Sequence, residues 1–267
     1  MDQLKNDKIR EAVRKHYAKI AESQDSACGS SQTSCCDESG SDVKAISMEF
    51  GYSNVEVNQV PEGSNLGLGC GNPKAIASLQ PGETVLDLGS GAGFDAFLAA
   101  REVGESGMVI GVDMTPEMVS KARANAAKGG YTNTDFRLGE IENLPVADSQ
   151  VDVIISNCVI NLSPEKARVF REAYRVLKPG GRLAISDIVA TADLPEKVKN
   201  DMALFAACMA GASSITELET MLKDAGFEAI TIKPKDESRE FIRNWVPGSK
   251  IEDYVVSATI EAVKPEG

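Results

Sequence analysis

The stretch Val85-Leu86-Asp87-Leu88-Gly89-Ser90-Gly91-Ala92-Gly93 constrains this chain more than any other. A short apolar run, Thr84 to Leu88, ends at three glycines in alternate positions. A helical run, Phe94 to Val103, follows, and then a second apolar run, Met108 to Val112, ending at Asp113. Strand, tight turn, helix, strand and acid in this order describe a nucleotide-binding unit. The glycines let a ligand approach the backbone, and an acid about twenty residues on can bind both hydroxyls of a ribose.

The alternation continues downstream. Thr115-Pro116-Glu117 predicts a helix start with a hydroxyl cap, and Gly129-Gly130 predicts its end. Thr134 to Leu138 and Val151 to Ser156 read as strands. Ser163-Pro164-Glu165 opens a helix that Lys178-Pro179-Gly180-Gly181 closes, and Arg182 to Val189 reads as a fifth strand. Such alternation predicts a doubly wound, mostly parallel α/β sheet of Rossmann-like type. Lys197 to Ala212 and Thr216 to Ala225 read as helices. Glu228 to Lys233 and Tyr254 to Val263 are β-rich and are expected to close the sheet as an antiparallel pair. Lys5 to Ser23 reads as an N-terminal helix, with Ile9, Val13, Tyr17 and Ile20 at helical spacing. Ser23 to Asp42 is polar and predicts a mobile loop. Three regions follow: 1–75, an N-terminal helix and cysteine-bearing segment; 76–190, the nucleotide-binding core; and 191–267, a further helix and the closing strands.

The 267 residues carry a net charge of -12. An acidic surface repels phosphate backbones and anionic lipids, so neither nucleic acid nor membrane is an expected partner. No apolar run approaches the roughly 20 residues that span a bilayer. The first twenty residues lack the apolar centre of a secretory signal. A cytoplasmic location is expected, and a monomer.

Two details of the glycine loop choose the nucleotide. It lacks the lysine of a phosphate-binding P-loop, and its Gly-x-Gly-x-Gly spacing departs from the dinucleotide pattern. Asp87, two residues before the first glycine, would repel a pyrophosphate but attract an ammonium. Both point to S-adenosylmethionine.

Six cysteines accompany a single histidine, His16. Thiols without imidazoles suit a soft, thiophilic partner or redox chemistry rather than a hydrolytic zinc site. Cys158 follows the fourth strand at its carboxyl end, where ligands of open α/β sheets bind. A buried, inert thiol is the alternative there, and it is the leading reading for Cys208 on its apolar run. Cys70 sits among glycines with no core to hide it. Cys35 and Cys36 are adjacent in a polar segment, where thiol exchange or soft-ion capture is expected. His16 reads as a solvated helix residue, far in sequence from every motif.

The region Pro81 to Val189 resembles the class I S-adenosylmethionine-dependent methyltransferases, through Val85 to Gly93, Gly111-Val112-Asp113-Met114, Gly139-Glu140-Ile141-Glu142-Asn143-Leu144-Pro145 and Leu177-Lys178-Pro179-Gly180-Gly181. That resemblance implies that Asp87, Gly89, Ser90, Gly91 and Gly93 shape the cofactor loop and that Asp113 binds the ribose hydroxyls. It implies Met114 against the adenine, Glu140 near the adenine amino group, Ile141 packing beside it, and Asn157 by the methionine moiety.

Gly67-Leu68-Gly69-Cys70-Gly71-Asn72-Pro73, Ser156-Asn157-Cys158-Val159-Ile160-Asn161-Leu162 and the Cys208 segment resemble arsenite methyltransferases, from about Ala12 to Glu261. By that resemblance Cys158 and Cys208 bind trivalent arsenic, Cys70 is a third ligand or redox partner, and one of Cys28, Cys35 and Cys36 takes part, with Cys35 or Cys36 favoured. Tyr52 would reach the cofactor. The implied substrates are arsenite and methylated arsenicals, with a thiol reductant such as glutathione or thioredoxin. Arsenic bound by three sulfurs keeps a lone pair, so it can attack the sulfonium methyl with no general base. Methylation formally oxidises the arsenic, and a cysteine pair forming a disulfide could return the electrons. A methyltransferase acting on carbon or oxygen of a small metabolite would need no such thiols. A non-catalytic arsenic binder would need no cofactor loop.

Overall fold

The computed structural model describes residues 3–23, 38–199, 204–205, 208–245 and 250–267. Cys28, Cys35 and Cys36 lie outside the described residues, as does 24–37 of the expected mobile loop; the end of that loop, Glu38 to Asp42, is helical instead, as the start of the helix Glu38–Glu49.

Eight strands form one sheet: β1 (Thr84–Leu88), β2 (Met108–Asp113), β3 (Thr134–Leu138), β4 (Val151–Asn157), β5 (Leu177–Ala190), β6 (Ser213–Ser214), β7 (Glu228–Lys235) and β8 (Val255–Val263). The order is β3-β2-β1-β4-β5-β8-β7, with β6 on the end of β5. Pairings from β3 to β5 are parallel; β8 runs antiparallel to both β5 and β7. The expected closing pair is therefore present.

Helices in chain order are α1 (Gln3–Ser23), α2 (Glu38–Glu49), α3 (Asn54–Asn58), α4 (Lys74–Ala77), α5 (Phe94–Val103), α6 (Pro116–Gly129), α7 (Lys166–Val176), α8 (Glu196–Lys199), α9 (Ile215–Ala225) and α10 (Arg239–Trp245). Two apolar layers flank the sheet. Leu86, Ile154, Leu183 and Ile260 pack with Phe170 of α7 and Leu222 of α9 on one face. Val85, Val109 and Ile155 pack with Phe97 of α5 and Val119 of α6 on the other. Alternate residues of β1 and β4 thus serve opposite layers, as the pleat requires.

Three local expectations are corrected. Thr115 stands at the cap of α6 but its hydroxyl does not cap the helix; its N–H donates to Asp113 Oδ1 at 2.8 Å. Lys178 to Gly181 does not separate helix from strand, because β5 starts at Leu177, paired with Val151, and absorbs the glycines through a register shift. The expected helix Lys197 to Ala212 does not run through Cys208, which has a left-handed φ of 61°. Its N–H bonds Phe205 O and the Met209 N–H bonds Leu204 O, a hydrogen-bond pattern that terminates helices.

Candidate active site

The chain leaves β1 toward β2 and β3 on one side, and β4 begins the other half on the opposite side. A cavity of about 380 Å³ opens where β1 and β4 end, at this point of reversal. Its wall includes Gly89, Ser90 and Gly91 after β1, Asn157 and Cys158 at the end of β4, and Gly67 to Gly69 from the second glycine stretch. Val13, His16 and Tyr17 of α1 and Trp245 of α10 border it from outside the sheet. His16 is exposed but borders this cavity, which its distance along the chain concealed.

Three aspartates line the wall: Asp87, Asp95 and Asp113. Burial pushes Asp87 well above the ordinary carboxylate value, and the charges of Asp95 and Asp113 push it further. Asp87 Oδ2 is buried without a hydrogen-bond partner, and so is Ser90 Oγ. Burial raises Asp95 to about 6 against hydrogen bonds from Tyr52 and Asn157. Asp113 is also raised by burial, although the Gly91 and Thr115 N–H groups donate to it at 3.0 and 2.8 Å. Low-dielectric surroundings and mutual repulsion favour any cation that enters here.

Asn157 ties the wall together. Its Nδ2 donates to Tyr52 Oη at 2.9 Å, Gly71 O at 2.8 Å and Asp95 Oδ2 at 3.2 Å, while its Oδ1 accepts from the Cys70 N–H at 3.0 Å. Tyr52 Oη donates to Asp95 Oδ1 at 2.5 Å. Gly69 and Gly71 permit this approach: a Cβ on Gly69 would meet Asn157 Nδ2 at 2.8 Å, and one on Gly71 would meet Ser186 Oγ at 2.8 Å.

Cys70, Cys158 and Cys208 converge here, all buried and none in a disulfide. Cys158 is the central thiol, hydrogen-bonded to both others; those two bonds and burial push it well above the ordinary thiol value. Burial raises Cys70 as well. The Cys208 thiol donates to Cys158 O. Cys158 and Cys208 line the cavity, and Cys70 lies outside that lining. Tyr17 shares the cluster: burial raises its hydroxyl well above its usual range, with Cys208, Cys158 and Asp113 adding to the effect.

Met114 and Ile141 line the cavity with Asp113. Glu140 is not among the lining residues. It faces Arg10 at 3.6 Å and Arg14 at 3.9 Å, while Glu142 lines the wall instead. Gly93 lies outside the lining also; its φ of 97° starts α5, and a Cβ there would meet Phe97 at 2.6 Å. Sequence reasoning missed Asp95, Tyr17, Glu142 and Asp187. Asp95, two residues after the glycine loop in the first turn of α5, was the most discoverable of these. Asp187 gave no local signal.

Fold and cavity together define a class I S-adenosylmethionine-dependent methyltransferase, and a family model described as a methyltransferase domain matches residues 79–226. The chain is 56% identical over 266 residues to an arsenite methyltransferase of Halobacterium salinarum, covering 97% of this chain and 67% of that protein. It is 39% identical to an arsenite methyltransferase of Aquipseudomonas alcaligenes, covering 82% and 62%. Among solved structures it resembles an arsenic(III) S-adenosylmethionine methyltransferase of Chlamydomonas reinhardtii, with TM-score 0.62, 36% identity, and 84% and 74% of the two chains covered. The chain belongs to the arsenite methyltransferase family. It spans about two thirds of the length of the curated relatives it matches.

Proposed function

We infer that the chain transfers the methyl group of S-adenosylmethionine to trivalent arsenic, with Cys70, Cys158 and Cys208 as the ligands of arsenite and two of these thiols as those of methylarsenite. The observation that carries this reading is the convergence of three buried thiols, two of them lining a cavity whose wall also holds the carboxylates of Asp87, Asp95, Asp113 and Glu142. A carbon or oxygen methyltransferase has no use for the thiols, and a sequestering protein has none for the carboxylates.

The residues present fit the methyl donor. Asp87 Oδ2 and Ser90 Oγ are buried acceptors without partners, suited to an ammonium. That Asp113, Met114 and Ile141 all line the cavity supports assigning Asp113 to the ribose and the other two to the adenine. When bound, S-adenosylmethionine supplies an electrophilic methyl on a positively charged sulfur. The network of Asn157, Tyr52 and Asp95 fixes the wall beside it and presents negative charge.

Arsenous acid brings three hydroxyls. Condensation with three thiols forms three As–S bonds and releases three waters, so the raised pKa values of Cys70 and Cys158 do not oppose binding. The bound arsenic keeps its lone pair as nucleophile and no proton has to leave it. No general base is needed, and His16 at the cavity border has no proton-transfer role. Reduction of the methylated product takes two electrons from a thiol pair, which closes to a disulfide. We assign that step to Cys35 or Cys36 with a ligand cysteine, and its reversal to glutathione or thioredoxin. The reading places a monomeric enzyme in the cytoplasm, where thiols stay reduced. No helix among the described residues is long and apolar enough to cross a membrane.

The test is incubation with arsenite, S-adenosylmethionine and a thiol, with arsenic speciation as readout. Wild type should yield methylated arsenicals, and Cys158→Ser or Cys208→Ser none, with cofactor affinity near normal. Arsenite binding without product in wild type would instead identify a sequestering protein.

A further inference from the structure

Asp187, on β5, is a buried carboxylate that the methyl-transfer reading does not use. One of its oxygens and the Cys70 and Cys158 sulfurs all lie within 4.8 Å of one another, and all three residues are buried. Asp187 Oδ1 accepts from Asn161 Nδ2 at 2.9 Å and the Ile188 N–H at 2.7 Å; Oδ2 accepts from the Ile160 N–H at 2.8 Å. These three donors fix the carboxylate, as hydrogen bonds hold the carboxylate ligands of metal sites. They bring no positive charge; the Lys166 charge acts on Asp187 electrostatically, but no salt bridge to Asp187 forms among the described residues. Burying a carboxylate without a cation in direct contact is costly.

Trivalent arsenic satisfied by three sulfurs does not need this oxygen. A borderline-soft divalent cation does. Zinc and cadmium take thiolate and carboxylate together in tetrahedral sets. Donors about 2.0–2.3 Å from zinc stand roughly 3.6 Å apart at tetrahedral angles. Small side-chain adjustments bring the present trio to that spacing. Cys208, hydrogen-bonded to Cys158, or a water would complete four ligands. Cys158 borders the cavity, which gives an ion its entry.

We propose that Cys70, Cys158 and Asp187 form a divalent-cation site for zinc or cadmium that shares two thiols with arsenic, so that occupancy by one excludes the other. On binding, the two thiol protons leave to solvent, two metal–sulfur bonds and one metal–oxygen bond form, and no electron is transferred. Carboxylate use separates the two occupants. This competition rests on the assignment of the thiols to arsenic; the cation site itself does not.

The test titrates the reduced full chain with cadmium alone, following thiolate-to-cadmium charge-transfer absorbance, and repeats the titration after saturation with arsenite. Cys70→Ser should take up one equivalent fewer than wild type, whose Cys28, Cys35 and Cys36 offer further thiols, and arsenite should block that equivalent. Asp187→Asn should weaken cadmium binding about ten-fold or more while arsenite affinity stays within about two-fold. Cadmium affinity unchanged in Asp187→Asn overturns the proposal. If arsenite fails to block the equivalent that Cys70→Ser loses, the shared-thiol part is overturned. Cadmium uptake with no arsenite binding at all counts against the arsenic reading alone. Should Asp187→Asn fail to fold, X-ray absorption of the zinc-loaded wild type decides. A shell of two or three sulfurs with oxygen supports the site, and an all-sulfur shell overturns it.

Discussion

Cys158 and Cys208 share an uncommon backbone state. Each has a left-handed φ, 58° and 61°, without being glycine, a conformation that costs about 1–2 kcal/mol. Each lies where the chain leaves a regular segment and doubles back, Cys158 after β4 and Cys208 after the turn at Leu204 and Phe205. Strain of this kind persists where surrounding structure over-determines it. Here the Cys158 N–H bonds Ser186 O at 2.8 Å, and Asn161 Nδ2 holds Cys208 O at 3.2 Å. Asp87 shows the same trade between stability and use. Its unpartnered oxygen is a liability until a cation arrives. Asp87→Asn should therefore raise Tm by a few degrees, about 2–4 °C per kcal/mol for a chain of this size. S-adenosylmethionine affinity should fall about ten-fold, near 1.4 kcal/mol. Calorimetry with and without the cofactor checks both signs, and a Tm that drops would mean Asp87 is structural.

At the scale of elements, the glycine loop and α1 do different work. A Cβ on Gly89 would meet Val159 Cγ2 at 2.2 Å, whereas one on Gly91 would meet nothing within 4 Å. Both glycines have positive φ, so alanine costs about 1–2 kcal/mol at either from backbone strain. Only Gly89→Ala adds a collision, with the segment that follows Cys158. Urea denaturation should show Gly89→Ala the less stable of the two by more than about 1 kcal/mol. Helix α1 is latched by Arg10, which reaches Glu142 at 3.1 Å and Glu165 at 2.7 Å; Ser163 Oγ also donates to Glu142, at 2.7 Å. Arg10→Ala would leave Glu142 buried and unpaired, a loss of about 3–5 kcal/mol. It would also free the helix that carries Val13 and Tyr17 to the cavity. Hydrogen exchange should then show faster exchange along α1 than in the sheet. Uniform loss of protection would mean that the latch is part of the global core.

Across the whole molecule, buried acids give stability a pH dependence. Asp95 holds its proton more tightly folded, at about 6, than at the ordinary value of 3.8. Its contribution is therefore complete below the unfolded value and is lost as pH rises through about 6. The shift corresponds to about 3 kcal/mol. The stability of Asp95→Asn relative to wild type should rise between about pH 4 and pH 6.5 and level off above that range. Urea midpoints across this range provide the measurement, and a flat difference would remove Asp95 from the acidic cluster.

Much of the sheet was legible in the chain. Strands β1 and β3 and helix α5 begin and end where apolar runs, glycines and caps place them, because those signals act over a few residues. The turn at Cys208 was not legible, since Met202 to Met209 is apolar enough to read as continuous helix. The start of β5 was also hidden. Lys178 to Gly181 has turn composition, and only pairing with Val151 makes its neighbourhood strand. Asp187 carried no motif, because its meaning comes from Cys70 and Cys158, 117 and 29 residues away.

The sequence by itself determined the class of sheet, the glycine loop with its acids, and the presence of thiols that a hydrolytic site would not want. Those features depend on neighbouring residues and on periodicity. Only the tertiary structure decided which thiols meet, that α1 borders the cavity beside them, and that a third aspartate, Asp95, joins Asp87 and Asp113 while a fourth, Asp187, lies by the Cys70 and Cys158 sulfurs. Contacts between distant segments are set by how the sheet order reverses at β1 and β4, and no local pattern encodes that reversal.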